Sequence, residues 1–174
     1  MYNDILSKSL LAILILGTEP SVGYFSNRKT NKINLYGSQV EVCSRPGTAG
    51  AGYFSGPKCI HYGIDEASHN ICLDITTVQG GDFCALSNKE DWCQKRLPCT
   101  DNPGQSCPIK NFCVTELDFA NYLEFAGGCD NMGRINCEAT NMMTILNYEE
   151  KISVDDDMKA AYALDCLKHK CRML

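Results

Sequence analysis

CQKRLPCTDNPGQSCPIKNFCVTELDFANYLEFAGGCDNMGRINC, running from Cys93 to Cys137, decides how this chain folds. Six cysteines (93, 99, 107, 113, 129 and 137) fall within these 45 residues, and between the fourth and the fifth lies the clearest amphipathic helix of the sequence. Thr115 can cap it, Glu116 and Asp118 put negative charge into its first turn, and Phe119, Tyr122, Leu123 and Ala126 recur at helical spacing along one face, with Glu116, Asn121 and Glu124 off it. Gly127 and Gly128 supply the stop, and Cys129 is placed to pin the helix end. Between Leu97 and Gln105, Pro98, Pro103 and Gly104 predict an irregular loop held by its flanking cysteines.

Working outward, the other six cysteines are Cys43, Cys59, Cys72, Cys84, Cys166 and Cys171. Twelve in 174 residues is an even and dense set, which reads as disulfides formed in an oxidising compartment, with the pairing left open. No Cys-x-x-Cys occurs, and His61, His69 and His169 are the only histidines, so no metal site and no cofactor is expected. The N-terminus fits export: Lys8 precedes the apolar run Leu10 to Leu16, and Ser21 and Gly23 are the small residues before a cleavage point after Gly23. Residues 1–23 are thus read as a signal peptide, 24–37 as a flexible lead-in with Arg28-Lys29 as a secondary processing point, and 38–174 as one disulfide-stabilised α+β domain. A secreted, extracellular location follows.

Before the central stretch, Gln39 to Cys43 alternates like a first strand, Lys58 to Tyr62 resembles a second, and Asn70 to Val78 is the clearest, with Ile71, Leu73 and Ile75 on one face. Gln79 to Asp82 turns it, and Phe83 to Leu86 is expected to return as its hairpin partner. Ser87 and Glu90 have capping-box spacing for a short helix through Arg96. After the central stretch, Arg134 to Thr140 reads as a strand and Met142 to Tyr148 as a strand or a helix. Ser153 is expected to cap a last helix opening on Asp155-Asp156-Asp157, closing on Lys168, His169, Lys170 and Arg172, and burying Ala160, Leu164, Leu167 and Cys171. The expected architecture is an antiparallel sheet of four to six short strands with two to three packed helices.

The formal charge of −5 argues against nucleic acid as the main partner. His61, Asp65, Glu66 and His69 fall within nine residues and are the candidates for general acid and base in a small hydrolase or ribonuclease, though a solvated loop accounts for them more simply. Trp92, the only tryptophan, is a candidate binding anchor for a sugar or a protein, or a core residue against the cysteines. Lys95-Arg96 is a dibasic pair. A cut there would leave five cysteines on one side and seven on the other, so at least one bridge would have to join the halves.

In broad type the chain resembles the small, secreted, cysteine-rich effectors and killer-toxin-like proteins of fungi: signal peptide, one domain, even cysteines, no Asn-x-Ser/Thr sequon. That resemblance implies a virulence or avirulence protein, not an enzyme, that binds a host protein, either a target or an immune receptor. It would act as a monomer without membrane insertion, at the host surface, in the apoplast or after uptake into host cells. A second resemblance is to the plant-type X8 glucan-binding module. It runs through Trp92-Cys93, Cys107-Pro108-Ile109, Cys113, Phe119-Ala120-Asn121-Tyr122 and Cys129-Asp130, with a shorter Cys93 to Cys107 interval and a Pro/Gly loop in place of a helix. It implies the alternative of a cell-wall carbohydrate binder. A secreted protease inhibitor is a further alternative.

Overall fold

The computed structural model describes residues 32–51, 56–60, 68–76 and 83–173. It is a mixed α+β fold in which strand β1 (Ile71–Asp74) lies antiparallel to β4 (Asn111–Val114), with Cys72 opposite Cys113. Side chains alternate across a strand, so the pair has two different faces. Ile71 and Leu73 enter the main core with Phe119, Tyr122 and Leu123, as their spacing predicts. On the other face Cys72 and Cys113 meet Cys43, Ala51, Cys59 and Ala139 in a second, smaller cluster. The cross-strand cysteines do not join each other. Cys72 bonds Cys43 and Cys113 bonds Cys59, which fastens two outer segments onto the same face.

The expected hairpin partner of β1 is a helix. Phe83–Leu86 forms α1, whose Phe83 ring packs edge-on against Tyr122 at 5.4 Å between centroids. Ser87 donates from both its backbone N–H and its hydroxyl to the Phe83 carbonyl, and Cys84–Cys93 closes the unit. A four-residue apolar run carries no periodicity that separates strand from buried helix, and the contact with Tyr122 decides it. The next helix, α2 (Glu90–Cys93), is shorter than its capping-box spacing implies, because Arg96 leaves for a strand.

That strand corrects the irregular-loop reading of Leu97 to Gln105 at Leu97 and Pro98, while 99–105 form the connecting loop. β2 (Arg96–Pro98) pairs with β3 (Ser106–Pro108), and Cys99–Cys107 closes the hairpin. Both prolines lie at strand ends, where no ladder N–H is required. Ala49 and Gly50 dock on them, donating to the carbonyls of Pro108 and Pro98. The described strands therefore form two two-stranded sheets, not one of four to six strands.

Helix α3 (Glu116–Phe125) matches its sequence reading: Thr115 accepts from Asp118 N, Phe119, Tyr122, Leu123 and Ala126 are buried, and Gly127 adopts φ 72°. Residues 134–140 touch β1 through a single bridge, Leu73 to Ile135, instead of forming a strand. Thr140 holds them there, donating to the Asn136 carbonyl while accepting from Cys72 N. The ambiguous stretch after them is helix α4 (Met143–Asp155), opened by Asn141 accepting from Met143 N. Ile145 and Tyr148 face inward, and Ile152 packs against the same core.

Ser153 does not cap the last helix. It lies inside α4 and donates to the Glu150 carbonyl, Asp156 turns the chain at φ 51°, and Asp157 caps α5 (Met158–Lys170). The Asp157 carboxylate accepts from Lys159 N and Ala160 N at 2.9 and 3.0 Å. Asp157→Ala is expected to lower unfolding free energy by about 1 kcal/mol, measured in urea, where Asp155→Ala changes little. Ala160, Leu164, Leu167 and Cys171 are buried as expected, and Cys129–Cys166 and Cys137–Cys171 fix α5 to the segment behind α3. No described helix is long and apolar enough to cross a membrane.

The lead-in read at 24–37 is corrected at its described end. Asn34 and Leu35 are buried, and the Asn34 amide donates to the Gln39 and Glu138 carbonyls while its oxygen accepts from Tyr36 N and Ser38 N. This asparagine-centred turn takes the place of the strand expected at Gln39 to Cys43, leaving one bridge, Ile33 to Gln39. Of the strand expected at Lys58 to Tyr62, residues 58–60 are not strand, and His61 and Tyr62 lie outside the described residues.

Candidate functional site

Two bridges, Cys137–Cys171 and Cys43–Cys72, build the largest concavity found among the described residues. Cys137–Cys171 brings the residues flanking Cys137 against those flanking Cys171, and Cys43–Cys72 brings Arg45 to the end of β1. The result is an open cleft of about 890 Å³. Its walls carry Arg45, Arg134, Lys170 and Arg172, set among Asp74, Asp130 and Glu138. Asp74 accepts from the backbone and hydroxyl of Thr76, and Asn111, its neighbour across the β1–β4 ladder, lines the cleft beside it. Tyr36 donates its hydroxyl to the Cys171 carbonyl at 3.0 Å and latches the N-terminal turn onto the rim.

Ion pairs among the described residues join Lys89 to Asp118, Lys159 to Glu124 and Lys168 to Glu149. None involves a cation of the cleft. Arg45, Arg134 and Arg172 are exposed, and their guanidinium groups make no hydrogen bond to a described residue. Such a surface can recognise oxyanions through charge-assisted, two-pronged hydrogen bonds.

A second feature is buried. The Glu116 carboxylate accepts from the side-chain amides of Asn70 at 3.1 Å and Asn147 at 2.9 Å, while the Glu116 carbonyl accepts from the Tyr148 hydroxyl at 2.7 Å. Burial pushes its carboxyl above the ordinary range, outweighing the amides, its own backbone N–H and the Lys151 charge. Burial, the Glu116 charge and Asp157 push the Tyr148 hydroxyl up, which keeps it a donor. A hollow of about 360 Å³ opens beside Glu116, rimmed by Ser68, Glu150, Lys151 and Asp155. With its carboxylate engaged from β1's approach and from α4, Glu116 ties three elements together.

The residues singled out in sequence are scattered. His69 is half-buried with its ring edge-on to Phe112 at 6.5 Å, and lies outside both concavities. His61, Asp65 and Glu66 fall outside the described residues, as do Gly23, Arg28 and Lys29. Trp92 belongs to α2, and its side chain falls outside what is described. All twelve cysteines are paired. The sulfurs of Cys43, Cys59 and Cys72 lie within 4.8 Å of one another because two bridges stack, and a bridged sulfur offers no thiolate to a metal.

The sequence reading missed the cleft and Glu116. One signal was present: Arg45 lies two residues from Cys43, Arg134 three from Cys137, and Lys170 and Arg172 flank Cys171. Cations next to cysteines converge once bridges form. Nothing in the sequence joined Glu116 to Asn70 or Asn147.

No protein-family model matches the chain, and no curated protein matches it.

Proposed function

We propose that this is a secreted cysteine-rich effector that acts by binding a host protein, with the cleft between Arg45, Arg134 and Arg172 as its contact surface. One observation carries the reading: the largest concavity among the described residues displays four cations that form no ion pair with a described residue. Exposed charges of this kind are free to pair with another molecule, and the bridges hold them in place beforehand, which limits the ordering cost of binding. Six disulfides support folding in an oxidising compartment. Glu116, whose carboxyl burial raises, is engaged by two amides, which favours a structural role for it over turnover.

The test is cross-linked capture from extracts of the tissue that receives the protein. Wild type should retain a protein partner, and Arg45→Glu/Arg134→Glu should lose at least about tenfold of it at unchanged melting temperature. Three results would contradict the proposal: capture indifferent to charge reversal, glycan-array binding abolished by Trp92→Ala, or turnover of RNA or glycan abolished by His61→Ala or His69→Ala.

A further inference from the structure

We infer that the cleft recognises a carboxylate-bearing peptide segment of its partner, an inference that rests on the binding role proposed above. Three guanidinium groups and one ammonium line a single concavity, and none of them forms an ion pair with a carboxylate of the described residues. A guanidinium fork matches a carboxylate with two parallel hydrogen bonds, and three forks on one concave surface suit several carboxylates presented together. The second observation lies on the floor. Asn111 lines the cleft beside Asp74, its neighbour across the β1–β4 ladder. A side-chain amide in such a wall carries both a donor and an acceptor, which a peptide backbone can match.

The acidic residues of the same walls choose between kinds of anion. A nucleic acid or a sulfated polysaccharide carries closely spaced negative charge, about one per 1.7 Å of axis in duplex DNA, and would be pressed against Asp74, Asp130 and Glu138. An extended peptide separates its carboxylates and places backbone N–H donors between them, which those three residues can accept. The cleft's size, about 890 Å³, accommodates a short segment and not a folded domain.

Fluorescence anisotropy tests this on the mature chain with a labelled octapeptide of alternating Glu and Gly, beside one of alternating Lys and Gly. The acidic peptide should bind saturably, weaken as salt rises, and lose about tenfold in affinity in Arg45→Ala/Arg134→Ala, whose melting temperature should match wild type. The basic peptide should not bind. The inference is overturned by absence of saturable acidic-peptide binding, by equal binding of both peptides, or by indifference to the double substitution. It is overturned equally if a heparin hexasaccharide binds more tightly with the same arginine dependence, which would make the ligand a sulfated glycan. If the acidic peptide fails while Arg45→Glu/Arg134→Glu still abolishes partner capture, the binding role stands and only the ligand class falls. If charge reversal leaves capture intact, the binding role through the cleft falls first.

Discussion

Cys59→Ala/Cys113→Ala should cost about 4 kcal/mol of unfolding free energy and lower the melting temperature by on the order of 10 °C, the largest loss expected from removing any one bridge. The two cysteines are 54 residues apart, the widest separation of the six pairs, so their bond removes the most freedom from the unfolded chain. Cys99→Ala/Cys107→Ala, closing only 8 residues, should cost about 2.5 kcal/mol by the same relation. Both Cys59 and Cys113 are fully buried in the smaller cluster, which adds lost packing to the first figure. Chemical denaturation of both variants checks the ranking, and equal losses would contradict it. The same bridge has a second consequence. It alone crosses Lys95-Arg96, which satisfies the odd cysteine count on each side of that pair. Wild type cut after Arg96 should therefore stay one particle until reduced, whereas the Cys59→Ala/Cys113→Ala variant should separate without reductant.

Glu116→Ala is expected to lose about 2–3 kcal/mol, and Glu116→Gln far less. The alanine leaves the fully buried Asn70 amide without its acceptor and strips the partner from Asn147, and an orphaned buried donor costs about 1–3 kcal/mol. Glutamine keeps an oxygen for both amides and removes a buried charge. The pH dependence has a definite sign. Because the folded-state carboxyl is raised above its unfolded value, its contribution is fully present below the ordinary glutamate range and is lost as pH rises through the folded value. Wild type should accordingly fall behind Glu116→Gln as pH climbs from that range toward neutrality. Urea unfolding across a pH series reads this directly. A gap that does not move with pH, or a glutamine variant as damaged as the alanine one, would contradict the structural role assigned to Glu116.

What the sequence made legible was local. Helix α3 could be read because a capping threonine, four apolar residues at helical spacing and two glycines agree with one another. Strand β1 could be read from its alternation, and the buried edge of α5 from its spacing. What failed depended on contacts between distant residues. β1 pairs with β4, forty residues on, and Phe83 packs against Tyr122 instead of returning beside β1. Three consecutive aspartates look like one helix start, yet only Asp157 adopts the cap, since Asp156 makes the turn between α4 and α5. The cleft was illegible for the same reason. Its cations are scattered from Arg45 to Arg172, and only the pairing of cysteines, which spacing alone does not determine, brings them together.

The claim beneath the rest is that crossbridges in one particular arrangement hold a preformed charged cleft. Mass-spectrometric mapping of the secreted protein, digested without reduction, tests it most directly. The account predicts no alkylatable thiol and peptides linked as Cys43 to Cys72, Cys59 to Cys113, Cys84 to Cys93, Cys99 to Cys107, Cys129 to Cys166 and Cys137 to Cys171. Free sulfhydryls at Cys137 or Cys171, or a map in which Cys43 and Cys137 are joined to other partners, would take the cleft apart and contradict it.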